Sequence, residues 1–394
     1  MGEKIFTARF ARAAEYAEKG LVLKIKYRSW WAIIVVMKDI RMLDVISKIK
    51  KGERINEKEA LNLLLECDFL ALGQLAQERL LKFHSPDQVS FCIDRNINYT
   101  NICESKCRFC AFYRSKDDSD AYVLSVDDIV LKVEEAVSLG ATQIMLQGGL
   151  NLDLKIEYYE TVLKKIKDRF NVFIHSLSPP EIWHISEVSQ LSIKEVLIRL
   201  KEAGLDSLPG GGAEMLVDRV RHEISPNKIN TEKWLAVMEI AHGIGFESTA
   251  TMMMGSIETT AERIEHLKKV RDLQDKTGGF RSFIPWTFTS GNTELGGKEL
   301  SSIEYLRMLA VSRIYLDNVR NIQGSWVTQG KEIGQISLFF GANDLGSIML
   351  EENVVKAAGA KNRITESEMS ELIKRAGKEP VQRNTEYESI KTYP

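Results

Sequence analysis

The sequence predicts an α/β fold, a TIM-type (β/α)8 barrel with an N-terminal helical extension. Three observations predict it. From residue 89 onward, eight short apolar runs alternate with amphipathic patterns, in units near 30 residues. Strand–helix alternation at that length implies a parallel sheet with right-handed crossovers, and eight such units can close on themselves. Polar, glycine-rich text follows several of the runs (QGG, SPP, PGGGAE, MMGSIE), where a barrel carries its active-site loops. An open doubly wound sheet is the rival, but PGGGAE lacks the G-x-G-x-x-G spacing of a dinucleotide site.

In chain order, residues 1–40 form an extension without a usable motif. Its apolar run Trp30–Met37 is eight residues, well short of the ~20 a spanning helix needs. Lys38 and Asp39 follow where an export signal would have small residues, so no membrane span and no export are expected. Residues 41–85 read as helices, with Asn56 as a cap and Glu59 at the third helical position. Residues 86–350 hold the barrel, with strands expected at 89–95, 142–147, 172–177, 204–208, 246–253, 280–286, 319–325 and 338–344. Helices are expected at 125–139, 155–169, 191–203, 231–243, 259–275, 301–317 and 328–337. Residues 351–394 read as a capped helix over 365–378 and a polar surface tail.

Composition narrows the function. Of 394 residues, 53 are Lys or Arg and 55 Asp or Glu, so the basic excess of a nucleic-acid binder is absent. The five cysteines are odd in number, and Cys103, Cys107 and Cys110 fall within eight residues, unlike a secreted disulfide framework. A reducing, cytoplasmic setting is expected. Cys67, on an apolar helix stripe, and Cys92, in a strand, read as small core residues. The trio is spaced C-x3-C-x2-C directly after the first strand, and the next histidine is His175. Structural zinc wants four ligands, usually in two pairs. Three thiolates on one loop suit a 4Fe–4S cluster with one iron left open, a catalytic rather than a structural feature.

That spacing, with Phe109 just before the last cysteine, resembles the signature of the radical S-adenosylmethionine (SAM) superfamily. The resemblance continues through Asn98-Tyr-Thr-Asn, Gln147-Gly-Gly, Ser178-Pro-Pro-Glu181, Pro209-Gly-Gly-Gly-Ala-Glu214, Asp218-Arg-Val-Arg221, Phe283-Ile-Pro-Trp286 and Ser325-Trp-Val-Thr-Gln-Gly330, over roughly residues 42–390. Together these resemble the menaquinone (futalosine) pathway branch. The resemblance implies a radical SAM barrel and a 4Fe–4S cluster on Cys103, Cys107 and Cys110, with SAM on the fourth iron. It implies an electron donor such as flavodoxin or ferredoxin. The implied reaction abstracts the ribose C4′ hydrogen of dehypoxanthine futalosine and closes the carbon radical onto the benzoate ring. The alternatives are the sister reaction of the branch, radical addition to an enolpyruvyl benzoate ether, and a non-catalytic Fe–S redox sensor.

The loops supply the remaining candidates. Gln147, Gly148 and Gly149 stand where the family binds the methionine end of SAM. The usual acid is replaced by Leu150, so this loop is expected to act through its backbone. Glu214 and Arg219 are expected to hold the ammonium and carboxylate of SAM. Ser178 and Phe109 complete the expected cofactor site, and Pro179-Pro180 is expected to fix the shape of a loop. His175 and Trp286, at expected strand ends, are candidates for substrate contact or proton transfer, and Arg114 for a substrate carboxylate. Met252, Met253 and Met254 read as core.

Overall fold

The computed structural model describes residues 30–393. Residues 46–393 form one compact unit, and apart from the first helix everything below concerns it. Most of the extension expected over residues 1–40 lies outside the described residues. Helix α1 (Trp30–Lys51) runs through position 40 without a break. Among the described residues no helix is long and apolar enough to cross a membrane.

Helices α2 (Glu57–Glu66) and α3 (Phe69–Leu80) precede the barrel. Arg307 ties them on by donating to the carbonyls of Leu63, Leu64 and Cys67, and Phe69 packs on Phe340 at 4.6 Å.

The first barrel strand is interrupted at Ile93, giving β1 (Gln88–Cys92) and β2 (Asp94–Ile97). Then come α4 (Val126–Ser138), β3 (Gln143–Leu146), α5 (Ile156–Arg169), β4 (Phe173–Ile174), α6 (Pro179–Ser189), α7 (Ile193–Ala203), β5 (Ser207–Leu208), α8 (Asp218–Ile224), α9 (Thr231–Gly243) and β6 (Glu247–Met254). The chain continues through α10 (Thr260–Thr277), β7 (Phe280–Thr287), α11 (Ser302–Tyr315), β8 (Asn321–Ile322), α12 (Lys331–Ser337), β9 (Asp344–Ser347), α13 (Val354–Ala357), α14 (Glu366–Arg375), β10 (Glu379–Arg383) and β11 (Ser389–Thr392). Many of these helices start on a reciprocal cap, among them Ser125 with Asp128, Ser192 with Glu195, Thr259 with Glu262 and Ser301 with Glu304. Each such cap contributes about 1 kcal/mol and fixes where a strand-to-helix loop ends.

The parallel pairings run β2-β3-β4 and β5-β6-β7-β8. Single bridges, His175 to Ser207 and Gln323 to Asp344, join these sheets to each other and to β9. β9 pairs in parallel with β1, so the ring of pairings returns to the first strand and the expected barrel is present. Its core includes Phe91, Ile144, Ala250, Met252, Met253, Met254 and Phe283, and the three methionines are core as expected. Cys67 and Cys92 are also buried, and burial pushes their thiols up to about 11 and about 12.

Four expectations are corrected. Pro179 and Pro180 do not shape a loop; they open α6, where a missing N–H and a preset φ cost nothing, behind the Ser178–Glu181 cap. The last strand is not 338–344: Gly341 turns the chain at φ 97°, and β9 begins at Asp344. The strands expected at 172–177, 204–208 and 319–325 are only two residues each as ordered pairs. The tail is not simply a surface tail, because β10 pairs in parallel with β1 and β11 returns antiparallel to it. β11 is exposed, but Arg383 is buried and grips the fully buried Asp344 with both Nε and Nη2.

Candidate functional site

The carboxyl ends of the strands surround a cavity of about 150 Å³ lined by all three clustered cysteines. The loop that carries them is folded by its own backbone. Cys103 N–H donates to Arg114 O, Arg114 N–H to Asn101 O, and Cys110 N–H to Cys107 O. Lys106 is held at φ 45°, a strained value for a residue with a Cβ. Burial pushes the Cys107 thiol up to about 12 and raises that of Cys110, which the N–H groups of Phe112 and Tyr113 partly offset.

Among the described residues no three Cys, His, Asp or Glu group tightly enough for a single metal ion. Three thiols spread around one cavity, with N–H groups aimed at a sulfur, suit a polynuclear iron–sulfur group better than one zinc ion.

The Gly-Gly loop crosses directly against the cysteine loop. A methyl group on Gly149 would stand 2.1 Å from Ile102 O and 2.9 Å from Cys103 Cβ, so only glycine allows this approach. Gly148 likewise faces the Tyr99 ring, 2.7 Å from where its Cβ would be. Position 150 carries no acid, but one reaches this loop from the helix after β4. Glu181 on α6 accepts from Gly148 N–H at 3.0 Å and Tyr99 Oη at 2.7 Å through one oxygen. Its other oxygen accepts from Ser178 N–H at 2.8 Å and from Ser178 Oγ. Phe109, Gln147, Gly148, Gly149, Ser178 and Glu214 all line the cavity.

Glu214 sits at φ 37°, is buried, and accepts from Lys228 Nζ at 3.0 Å through Oε1. Its Oε2 has no hydrogen-bond partner; Arg221 Nη1 is 3.8 Å away. Arg219 is not its partner. On α8 successive residues turn by about 100°, so positions 219 and 221 face apart. Arg219 is 52 % exposed and bound to Glu262, whereas Arg221 is buried and donates to the carbonyls of Gly212, Ala213 and Ile229.

Three further expectations fail on placement. Arg114 does not line the cavity: its Nε is bound to Asp120, and Nη1 donates to the carbonyls of Ala111, Phe112 and Tyr113, stapling the cysteine loop. His175 is buried with Nδ1 2.7 Å from Ser207 Oγ, at the β4–β5 seam. Burial, with Arg281 adding to it, holds His175 neutral well below the usual imidazole range. His175 bridges Ser207, which in turn pairs with Glu247 at the start of β6, so it stands toward the amino ends of β5 and β6 and does not line the cavity. Trp286 is half-buried on β7 beside Met253 and does not line the cavity.

The residues that sequence reasoning passed over as site candidates are Lys228, Arg221 and Tyr99; Glu181 it placed beside Ser178 without a defined role. Only Glu181 carried a local signal, the Ser-Pro-Pro-Glu cap.

Comparisons with known proteins agree with this geometry. Residues 97–270 match the family described as the radical SAM superfamily, and residues 277–393 the CofH/MqnC C-terminal region. The chain is 49% identical over 351 residues to the cyclic dehypoxanthine futalosine synthase of Streptomyces coelicolor, covering 88% of each. It is 45% identical to the protein of that name in Halalkalibacterium halodurans, covering 89% of this chain and 95% of the other. It is also 41% identical to a 5-amino-6-(D-ribitylamino)uracil--L-tyrosine 4-hydroxyphenyl transferase of Methanosarcina mazei, covering 87% and 93%. Among solved structures, methylornithine synthase (PylB) superposes with a TM-score of 0.65 at 17% identity, covering 84% of this chain and 95% of that one. The hydrogenase maturase HydG of Carboxydothermus hydrogenoformans gives 0.69 at 16%, covering 91% and 83%. At these identities the likeness speaks for the fold.

Proposed function

The chain belongs to the radical SAM superfamily, and from that premise we propose that it cyclises dehypoxanthine futalosine to cyclic dehypoxanthine futalosine in menaquinone biosynthesis. The observation that carries the reading is the convergence of three thiols, a Gly-Gly backbone loop and a buried acid–ammonium pair on one cavity at the strand ends. The 49% identity to a relative of that name supports the choice of reaction.

When bound, a 4Fe–4S cluster and SAM supply the electron transfer and the 5′-deoxyadenosyl radical that takes the C4′ hydrogen of the substrate ribose. Cys103, Cys107 and Cys110 would hold the cluster by three thiolates, Cys107 and Cys110 giving up protons that burial otherwise keeps on their sulfurs. Gly148 and Gly149 bring backbone polar groups within reach of the methionine end of SAM. The free Oε2 of Glu214 is an acceptor for the ammonium of SAM. Ser178 and Phe109 shape the wall, and Arg114 keeps the cysteine loop closed. The electron comes from a donor of the flavodoxin or ferredoxin kind, and the reduced thiols suit the cytoplasm.

A second reading is the transfer named for the Methanosarcina relative, which shares much of this chain's length. Separate incubations of reduced, reconstituted protein with SAM and dehypoxanthine futalosine, or with 5-amino-6-(D-ribitylamino)uracil and tyrosine, decide between them. Consumption of dehypoxanthine futalosine alone supports the first reading, and consumption of the second pair alone overturns it.

A further inference from the structure

Among the described residues Lys228 is the one cavity-lining residue with a cationic side chain. It comes from the loop after α8, far in sequence from the cysteines. Its side chain is 12 % exposed, and its ammonium lies 5.1 Å from the centre of the Phe109 ring, in the cysteine loop. Its single hydrogen-bond acceptor among the described residues is Glu214 Oε1, so two of its three N–H groups have no protein acceptor. An ammonium held so nearly dry, and satisfied by only one bond, is costly unless further negative charge stands beside it.

The neighbourhood supplies that charge once the cysteines hold iron. Arg221 cannot take this part, because its Nε, Nη1 and Nη2 are already engaged with the carbonyls of Gly212, Ala213 and Ile229. Lys228, Arg221 and Glu214 together carry one net positive charge behind the cysteine loop. An oxidised 4Fe–4S core on three thiolates carries one net negative charge, and one electron makes it two. Cluster potentials respond to local charge and solvent exposure, and a fixed buried cation favours the more negative, reduced state.

We propose that Lys228 is the buried counter-cation of the cluster, a positioning residue that raises its reduction potential and makes it reducible by the cellular donor. The step is a one-electron reduction: the donor loses the electron, the cluster gains it, and no bond is made or broken. The inference rests on the cluster assignment above and goes beyond it by giving a residue outside the cysteine loop control of the redox step.

The test is a redox titration of reconstituted protein without SAM or substrate, followed by electron paramagnetic resonance of the reduced cluster, with iron counted for each variant. Lys228→Met is expected to keep the cluster and to lower the reduced-to-oxidised ratio about tenfold at a fixed poise, a shift of about 59 mV to more negative potential. Lys228→Arg, which keeps the charge, is expected to stay near wild type. Glu214→Gln, which removes the opposing charge, is expected to shift the potential the other way. An unchanged potential in iron-loaded Lys228→Met, or an equal shift in Lys228→Arg, overturns the proposal. If Lys228→Met fails to load iron, Glu214→Gln decides: a positive shift supports the electrostatic role, and no shift overturns it. Failure of the wild type to bind close to four irons would instead sink the cluster assignment.

Discussion

Replacing Glu181 by Gln changes one atom of a buried carboxylate and tests how the Gly-Gly loop is held. One Glu181 oxygen accepts from Tyr99 Oη and Gly148 N–H, and the other from Ser178 N–H and Oγ. A glutamine offers one carbonyl, so its NH2 must face either Gly148 N–H or Ser178 N–H. The hydroxyls of Tyr99 and Ser178 can rotate to accept, but a backbone N–H cannot. One buried N–H therefore loses a charged acceptor, at about 1.5–3 kcal/mol. With about 2–4 °C of Tm per kcal/mol in mid-sized domains, the melting midpoint of the apo-protein should fall by several degrees. The Gly148 side of the loop also rests on the Tyr99 ring that Glu181 anchors. SAM affinity of the reconstituted variant should therefore fall about tenfold, the loss of roughly 1.4 kcal/mol, with the iron count unchanged. Differential scanning fluorimetry and SAM titration against the cluster spectrum read both. A variant that melts and binds SAM like wild type would refute the claim that Glu181 stands in for the acid missing at position 150.

Three further outcomes are expected. Arg219→Ala should leave SAM affinity unchanged, since Arg219 is exposed and paired with Glu262 away from the cavity; Arg221→Met should destabilise the fold by about 3 kcal/mol or more, because it strips donors from buried carbonyls, and equal effects in melting and SAM titration would contradict the assignment. Gly149→Ala should impair cluster loading, read as iron per chain, because the new Cβ meets a backbone carbonyl and Cys103 rather than a yielding side chain. Burial holds His242 near a pKa of about 4, and burial and then Lys269 hold His266 near about 3, both below the ordinary value near 6.5. Their contribution to stability is therefore complete above about pH 6.5 and is lost as pH falls toward 3–4, at about 1.4 kcal/mol per pH unit for each while unfolding takes up its proton. Urea unfolding of His266→Gln at stepped pH should show a shallower acid slope, and an unchanged slope would contradict it.

The rhythm of the barrel was legible because many of its helices announce themselves twice, by a capping residue and by apolar spacing; 231–243 is reproduced to the residue. Elements held by tertiary contacts were not. Glu379-Pro-Val-Gln-Arg383 lacks a strand's apolar alternation, and its inward charge is tolerable only because Asp344 meets Arg383 across the sheet. Leu338-Phe-Phe340 has strand composition but belongs to a turn set by Gly341, which packs against Arg313. In the site, the cysteine trio is readable because it is contiguous. The choice of Arg221 over Arg219 depends on the helical phase of a seven-residue element. Lys228 has no motif, since only the folded chain brings it to Glu214 and Phe109. Arg114 and His175 illustrate the opposite error: reactive residue types near the right loops were already engaged, one with Asp120 and one with Ser207.

The most direct test of the central claim follows one hydrogen. Anaerobically reconstituted, reduced protein is given SAM and dehypoxanthine futalosine carrying deuterium at the ribose C4′, and the products are resolved by mass spectrometry. The account expects cyclic dehypoxanthine futalosine together with 5′-deoxyadenosine that has gained one deuterium. Formation of 5′-deoxyadenosine without deuterium, with the futalosine substrate unconsumed, would contradict it.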